Sequence, residues 1–307
     1  MSALLGTSSA ENPPDMPSKT LGAIPPNEDD ILRRGGGYKV RGSAKSTPPH
    51  GPSVTRAADG TLQYEESWGT SIFDPVLCEL VYRWFSPPGG RVLDPFAGGS
   101  VRGIVAAMLG REYVGIELRP EQVAANEAQA EQIIGDGLQP CWKVGDAATV
   151  ASLAQGEYDL VFSCPPYYDL EVYSDLPGEL SALSTYDAFL SQYRAIVALC
   201  VEMLKPDRFA CYVVGNVRGK DGAYYDLVGD TVRAFEDAGA RFYNEAILVT
   251  AVGSLPIRAG RQFAASRKLG KTHQNVLVFL KGDWHRAVEA CGAVEVACDF
   301  DESVDGR

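Results

Sequence analysis

Between residues 91 and 281 the chain alternates short apolar runs with stretches of helical period, and this alternation limits the fold more than any other feature. RVLDPF (91–96), YVGIEL (113–118), PCWKVGD (140–146), YDLVFS (158–163) and RFACYVVG (208–215) read as buried strands. SVRGIVAAMLG (100–110), PEQVAANEAQAEQIIG (120–135), TYDAFLSQYRAIVALCVEML (185–204) and YDLVGDTVRAFEDAG (225–239) read as helices between and after them. A further helix, DPVLCELVYRWF (74–85), precedes the first strand, with Asp74 as N-cap and Pro75 in the first helical position. RFYNEAILVT (241–250) and HQNVLVFLK (273–281) come last, with no helix between them. Strands that alternate with helices return on the same side, so the expected fold is a doubly wound, seven-stranded, mostly parallel α/β sheet. The last two strands suggest an antiparallel hairpin at one edge. Ligands of such sheets sit beyond the carboxyl ends of the strands, which directs attention to the residues after 94, 117, 146 and 163.

Residues 1–60 are rich in Pro, Gly, Ser and charge, and read as a disordered or loosely attached tail. Residues 61–285 hold the patterned domain, and 286–307 read as an acidic C-terminal tail. No apolar run reaches the ~20 residues of a bilayer span, and the N-terminus lacks the pattern of a signal peptide, so a soluble cytoplasmic protein without membrane contact is expected. The seven cysteines form no CxxC pair, and there are three histidines, which argues against zinc and against a disulfide framework. Net charge is −12, which speaks against nucleic acid until its distribution is considered. Residues 31–58 and 246–282 each contain six bases and no acid. The second of these segments includes Arg258, Arg261, Arg267, Lys268 and Lys271 between the last two strands, where they suit phosphates.

The strand ends carry the chemistry. Gly98 and Gly99 after the first strand let a ligand approach the backbone at the start of a helix. Glu117 ends the second strand, 18 residues after Gly99, and suits ribose hydroxyls. Asp146, after the third, suits an adenine amino group or the N-cap of the following stretch. There is no GxxxxGK[ST] loop, so an adenosine without phosphates fits better than a nucleotide. The fourth strand runs directly into Ser163-Cys164-Pro165-Pro166-Tyr167-Tyr168, a stiff turn that cannot continue a ladder.

DPFAGGS, with Glu117 and Asp146 behind it and a Pro-Pro-Tyr turn after the fourth strand, resembles the DNA amino-methyltransferases over about residues 68–282. The resemblance implies a Rossmann-like class I methyltransferase fold using S-adenosylmethionine and no metal, and duplex DNA as substrate with the target base flipped out. It implies cofactor contacts from Asp94, Phe96, Gly98, Gly99, Glu117 and Asp146, and from Ser71 and Phe73 at the start of the first helix. It implies a catalytic turn of Ser163, Cys164, Pro165, Pro166 and Tyr167, in which fixed acceptors hold an exocyclic amine and Tyr167 stacks on the base. Tyr168, Arg258, Arg261, Arg267, Lys268 and Lys271 are the expected substrate contacts. Residues 171–184 read as a lid and 252–272 as a basic target-contact loop, short enough that a partner protein would help recognition. A bacterial or phage restriction-modification setting is implied.

One position departs from the family. Cys164 stands where Asp, Asn or Ser precedes the prolines, and a thiol is a weak acceptor. Three readings stay open: Ser163 or a backbone carbonyl supplies the acceptor; Cys164 is the nucleophile of a cytosine C5 methyltransferase, with Glu171 as acid; or Cys164 is structural. The serine in SCPPY points to cytosine N4 over adenine N6. An RNA methyltransferase and a non-catalytic cofactor-binding subunit are the alternatives of other classes.

Overall fold

The computed structural model describes residues 53–56, 62–65, 73–168, 173–250 and 255–294. The expectations for the rest of residues 1–60, for Ser71, for Glu171 and for the acidic residues from 295 on therefore lie outside the described residues.

Asp74 caps helix α1 (Pro75–Phe85) as its sequence implies, accepting from the N–H groups of Val76 and Leu77 at 2.8 and 3.1 Å. Strand β1 (Arg91–Asp94), helix α2 (Val101–Met108), strand β2 (Glu112–Glu117), helix α3 (Pro120–Ile134), strand β3 (Cys141–Val144), the short helix α4 (Val150–Leu153) and strand β4 (Tyr158–Ser163) follow. Helix α5 (Tyr186–Met203), strand β5 (Leu204–Val214), helix α6 (Leu227–Asp237), strand β6 (Arg241–Val249), helix α7 (Leu255–Ser266), strand β7 (His273–Lys281) and helix α8 (Trp284–Cys291) come next. Two small antiparallel pairs lie outside the main sheet, Ser53–Arg56 with Leu62–Glu65 and Val217–Arg218 with Tyr224–Tyr225, and the first brings part of the expected 1–60 tail into a strand. The sheet order is β6-β7-β5-β4-β1-β2-β3. Neighbours from β5 to β3 are parallel, and β7 runs antiparallel to both β5 and β6. The fold is the expected doubly wound, seven-stranded, mostly parallel sheet with a C-terminal antiparallel hairpin at its edge, and its second strand is inserted between β6 and β5.

Two cores cover the two faces, because successive strand residues point to opposite sides. Leu93, Val161, Ala210, Tyr212 and Phe279 pack with α5 and α6, while Val92, Leu160, Cys211, Val213 and Val278 pack with α1, α2 and α8. Every residue of β4 is buried, as a central parallel strand requires. At the amino edge of the sheet, Asp159 accepts from Lys205 Nζ (2.8 Å), Arg208 Nε (3.0 Å) and the Arg91 N–H (3.0 Å). One carboxylate thereby ties β4 to both of its neighbours. Lys281 is spent in a similar way: its Nζ donates to the Val201 and Leu204 carbonyls at 2.7 and 2.5 Å, satisfying the end of α5.

Two boundaries differ from expectation. Residues 286–291 are not tail; they complete α8, capped by Asp283, with Ala287 and Cys291 buried against the α1 core. The basic segment between β6 and β7 is not all loop, since Leu255–Ser266 form a helix. Its Ala, Arg, Gln and Leu content favours helix, and its polar surface gives little core periodicity from which to read it.

Burial alone would raise the Asp159 carboxyl, but the hydrogen bonds from Lys205, the Arg91 N–H and Arg208 outweigh it and hold its pKa below the ordinary 3.8. A depressed carboxyl stabilises the fold above its unfolded pKa and loses that contribution as pH falls through the folded value. Asp159→Asn should therefore cost about 3 kcal/mol in urea unfolding at pH 7. The difference from the parent should shrink as pH is lowered below about 4.

Candidate functional site

All the parallel strands end on one edge. Since β7 opposes both of its neighbours, β6 also ends there and β7 starts there. Along that edge the order is: the basic segment at β6–β7, Gly215 after β5, the Ser163–Tyr168 turn after β4, the Asp94–Gly99 loop after β1, Glu117 at β2, and Asp146 after β3. Strands lie about 4.8 Å apart, so the turn and the glycine loop are immediate neighbours.

Asp94 joins those two. It is fully buried, and it takes four donors: Arg102 Nε at 2.6 Å and Tyr113 OH at 2.7 Å on one oxygen, Ser163 Oγ at 2.6 Å and the Phe96 N–H at 3.2 Å on the other. Arg102 also donates to the Phe96 and Ala97 carbonyls at 2.7 and 2.9 Å, and its guanidinium lies 4.6 Å over the Phe73 ring. Burial would lower the Arg102 pKa; the Asp94 charge overrides this and raises it. Tyr113 is pushed well above its ordinary value, by burial first and then by the same carboxylate. Asp94 is thus a structural hub with its acceptor capacity taken up, not a cofactor contact. Ser163 is likewise fully buried, its hydroxyl donated to Asp94, and not an acceptor facing a substrate.

The glycine loop fits the expected ligand. Gly98 adopts φ +53°, which a side chain disfavours, and its N–H donates to Glu117 Oε2 at 3.0 Å while its carbonyl accepts from Asn126 Nδ2 at 2.7 Å. Gly99 has no such backbone demand, yet a Cβ on either glycine would meet nothing within 4 Å. That open space beside a carboxylate is what a nucleoside needs. Glu117 is held from the other side by Arg119, through its N–H at 3.0 Å and its Nε at 3.2 Å. No motif singles out Asn126 or Arg119; only the fold brings them to the loop. Phe96 stacks on Tyr193, with ring centroids 6.4 Å apart. Asp146 caps the turn that follows it, accepting the Ala148 N–H through Oδ1 at 2.8 Å. Its Oδ2 faces the 171–184 segment: a Cβ on Gly178 would come within 2.5 Å of it. Among the described residues no group of three His, Cys, Asp or Glu could hold a metal ion.

In the turn, Pro165 is buried and Cys164, Pro166 and Tyr167 are half-buried. Cys164 Sγ lies 3.9 Å from the Tyr167 hydroxyl. That hydroxyl accepts from Gln274 Nε2 at 2.7 Å and donates to the Val213 carbonyl at 3.3 Å. Tyr168 is not a substrate contact. Its chain turns to φ +50°, and its ring enters an aromatic cluster of Tyr186, Phe189 and Tyr225 at 5.4 to 5.6 Å, leaving it 6% exposed. The second aromatic of a Tyr-Tyr pair looks in sequence like the first, and only the reversal of backbone direction separates them.

The basic residues divide. Arg261 and Arg267 are exposed, Arg267 lying over the Phe263 ring at 5.2 Å, and Lys268 packs beside Gly222. Arg258 falls in α7. Lys271 is half-buried beside Gly215, its pKa lowered by burial, with no ion pair or hydrogen bond among the described residues.

The sheet order is that of a doubly wound α/β fold, with the glycine loop at the end of β1. Residues 73–128, which carry α1, the glycine loop and Glu117, match the DNA methylase family model N6_N4_Mtase. The chain is 45% identical over 51 residues to the Type II methyltransferase M.SmaI of Serratia marcescens, covering 17% of this chain and 18% of that protein. It is 52% identical over 46 residues to the Type II methyltransferase M.Cfr9I of Citrobacter freundii, covering 14% and 15%. The chain thus matches less than a fifth of the length of these relatives. Among solved structures, TrmN from Thermus thermophilus aligns with a TM-score of 0.45 and 16% identity over 68% of this chain and 49% of that one. The magnesium protoporphyrin IX methyltransferase of Synechocystis PCC 6803 aligns with a TM-score of 0.43 and 13% identity over 68% and 76%.

If Tyr168 is core, Tyr168→Ala should cost about 3–5 kcal/mol of stability in urea unfolding. Tyr168→Phe, which loses the 3.3 Å hydrogen bond to the Ser184 carbonyl, should cost about 1 kcal/mol and leave the turn in place.

Proposed function

We propose that the protein transfers a methyl group from S-adenosylmethionine to an exocyclic amine, cytosine N4 or adenine N6, of a base flipped out of duplex DNA. The observation that carries this reading is the adjacency of the glycine loop and the Pro-Pro-Tyr turn, fixed to one another through Asp94. The bound cofactor supplies an electrophilic methyl group on a sulfonium. The residues of this chain do the rest. The open space at Gly98 and Gly99, with the Glu117 carboxylate, holds the nucleoside, and Asp146 Oδ2 accepts from its base. Phe96 and Phe73 flank the loop as apolar walls.

The turn does the work of alignment. An exocyclic amine is a poor nucleophile because its lone pair is delocalised into the ring. Backbone carbonyls of the proline turn accept its two N–H groups and favour a tetrahedral nitrogen aimed at the methyl group. Ser163 is committed to Asp94, so the backbone, with Cys164 as a tolerated variant, is the acceptor set we favour. Tyr167 is the platform for the base. The exposed Arg261 and Arg267, with Lys268, meet the phosphates, and Lys271 reaches closest to the turn. In this reading 252–272 is the target-contact segment and 171–184 the lid.

Incubation of unmethylated DNA, and in parallel of tRNA, with methyl-labelled cofactor, followed by digestion to nucleosides, tests the reaction. Label in N4-methylcytosine or N6-methyladenine is expected. Label in 5-methylcytosine would overturn the amine reading, label in tRNA alone would overturn DNA as substrate, and cofactor binding without transfer would make the protein a binding subunit. Cys164→Ala should retain transfer within about tenfold, whereas a nucleophile would lose it entirely. Glu117→Ala should weaken cofactor binding by about tenfold or more in calorimetry, the scale of a lost charge-assisted hydrogen bond.

A further inference from the structure

We infer that Gln274, at the start of β7, is the positioning residue that holds Tyr167 in place as the base platform. The inference deepens the proposed reaction and rests on Tyr167 having that role.

A tyrosine at the end of a turn has two freely turning side-chain bonds, and a platform must be fixed before the base arrives. The Tyr167 hydroxyl has one proton to donate and lone pairs to accept with. It donates to the Val213 carbonyl on β5 at 3.3 Å, and Gln274 Nε2 on β7 donates into it at 2.7 Å. The shorter of the two bonds is thus supplied by a side chain far away in sequence. Beside the ring edge, a Cβ on Gly215 would lie 3.6 Å from Tyr167 Cε2 and 3.8 Å from Lys271 Nζ. Gly215 thereby leaves a niche free of side chain, with the Tyr167 ring on one side and an ammonium on the other. Gln274 sits one residue before β7 pairs with β5 at Asn275 and Val214, and pairs itself with Leu248 on β6. Its backbone is anchored by the hairpin, which makes its side chain a stable post. It also lies two residues beyond the target-contact segment, and its amide reaches the platform hydroxyl, not a base edge. Half-buried Cys164 Sγ lies 3.9 Å from the same hydroxyl, so its exposure reports on where Gln274 holds that hydroxyl.

The test compares Gln274→Leu, Tyr167→Phe and the double variant in the full chain. With unmethylated bacterial genomic DNA and labelled cofactor, Gln274→Leu should lower kcat about tenfold while the KM for S-adenosylmethionine stays within about twofold. Tyr167→Phe should lose a similar factor, and the double variant should be no worse than the poorer single one, since both remove the same bond. Alkylation by iodoacetamide, read at each cysteine by mass spectrometry, gives a measure independent of activity. Cys164 should react several-fold faster in Gln274→Leu, with the half-buried Cys141 unchanged. A Gln274→Leu protein with the parental kcat and the parental Cys164 rate would overturn the inference, as would losses that multiply in the double variant. If the parent transfers no methyl to DNA, the proposed reaction fails, and the alkylation rates alone decide whether Gln274 holds Tyr167.

Discussion

Everything at the carboxyl edge depends on one buried carboxylate. Asp94 ends β1 with no exposure to solvent, so its charge has to be met by protein groups alone. Arg102 neutralises it, Tyr113 and the Phe96 N–H add donors, and Ser163 brings the neighbouring strand's turn to the same atom group. A buried ion pair contributes little against an apolar replacement, but losing one partner costs several kcal/mol. What it offers is geometry, because four donors of fixed direction leave one arrangement of the loop and the turn. The reaction we propose needs that arrangement, since a methyl group has to pass between a ligand at the glycine loop and a base at the turn.

A second buried carboxylate, Asp159, does the corresponding work at the amino edge. It joins β4 to β1 and β5 through Arg91, Lys205 and Arg208. β4 is therefore fixed at both ends, and the Pro-Pro turn that leaves it starts from an immobile point. The two prolines carry that rigidity forward to Tyr167, and Gln274 and Val213 complete it from the opposite side.

The fold was legible because its signals were local. YDLVFS forms β4 from its first residue to its last, and Asp74-Pro75 opens α1 as a capped helix. The glycine loop, Glu117 and the turn were legible as an ordered set at strand ends. The partners of these residues were not. Asp94 opens the glycine loop, where its position suggests ligand contact, and its burial follows from Arg102 and Tyr113, eight and nineteen residues away. Tyr168 differs from Tyr167 through a left-handed backbone that no residue type announces. Gln274 lies 107 residues from Tyr167, and only the insertion of β7 beside β5 brings them together. Helix α7 was hidden because its stretch contains Pro256 and Gly260, both poor helix formers.

The central claim is that Asp94 joins the turn to the glycine loop, and a double-mutant cycle between Ser163→Ala and Asp94→Asn in urea unfolding measures that joint directly. The account predicts strongly non-additive losses, with a coupling of about 1 kcal/mol or more. Additivity to within about 0.5 kcal/mol would contradict it.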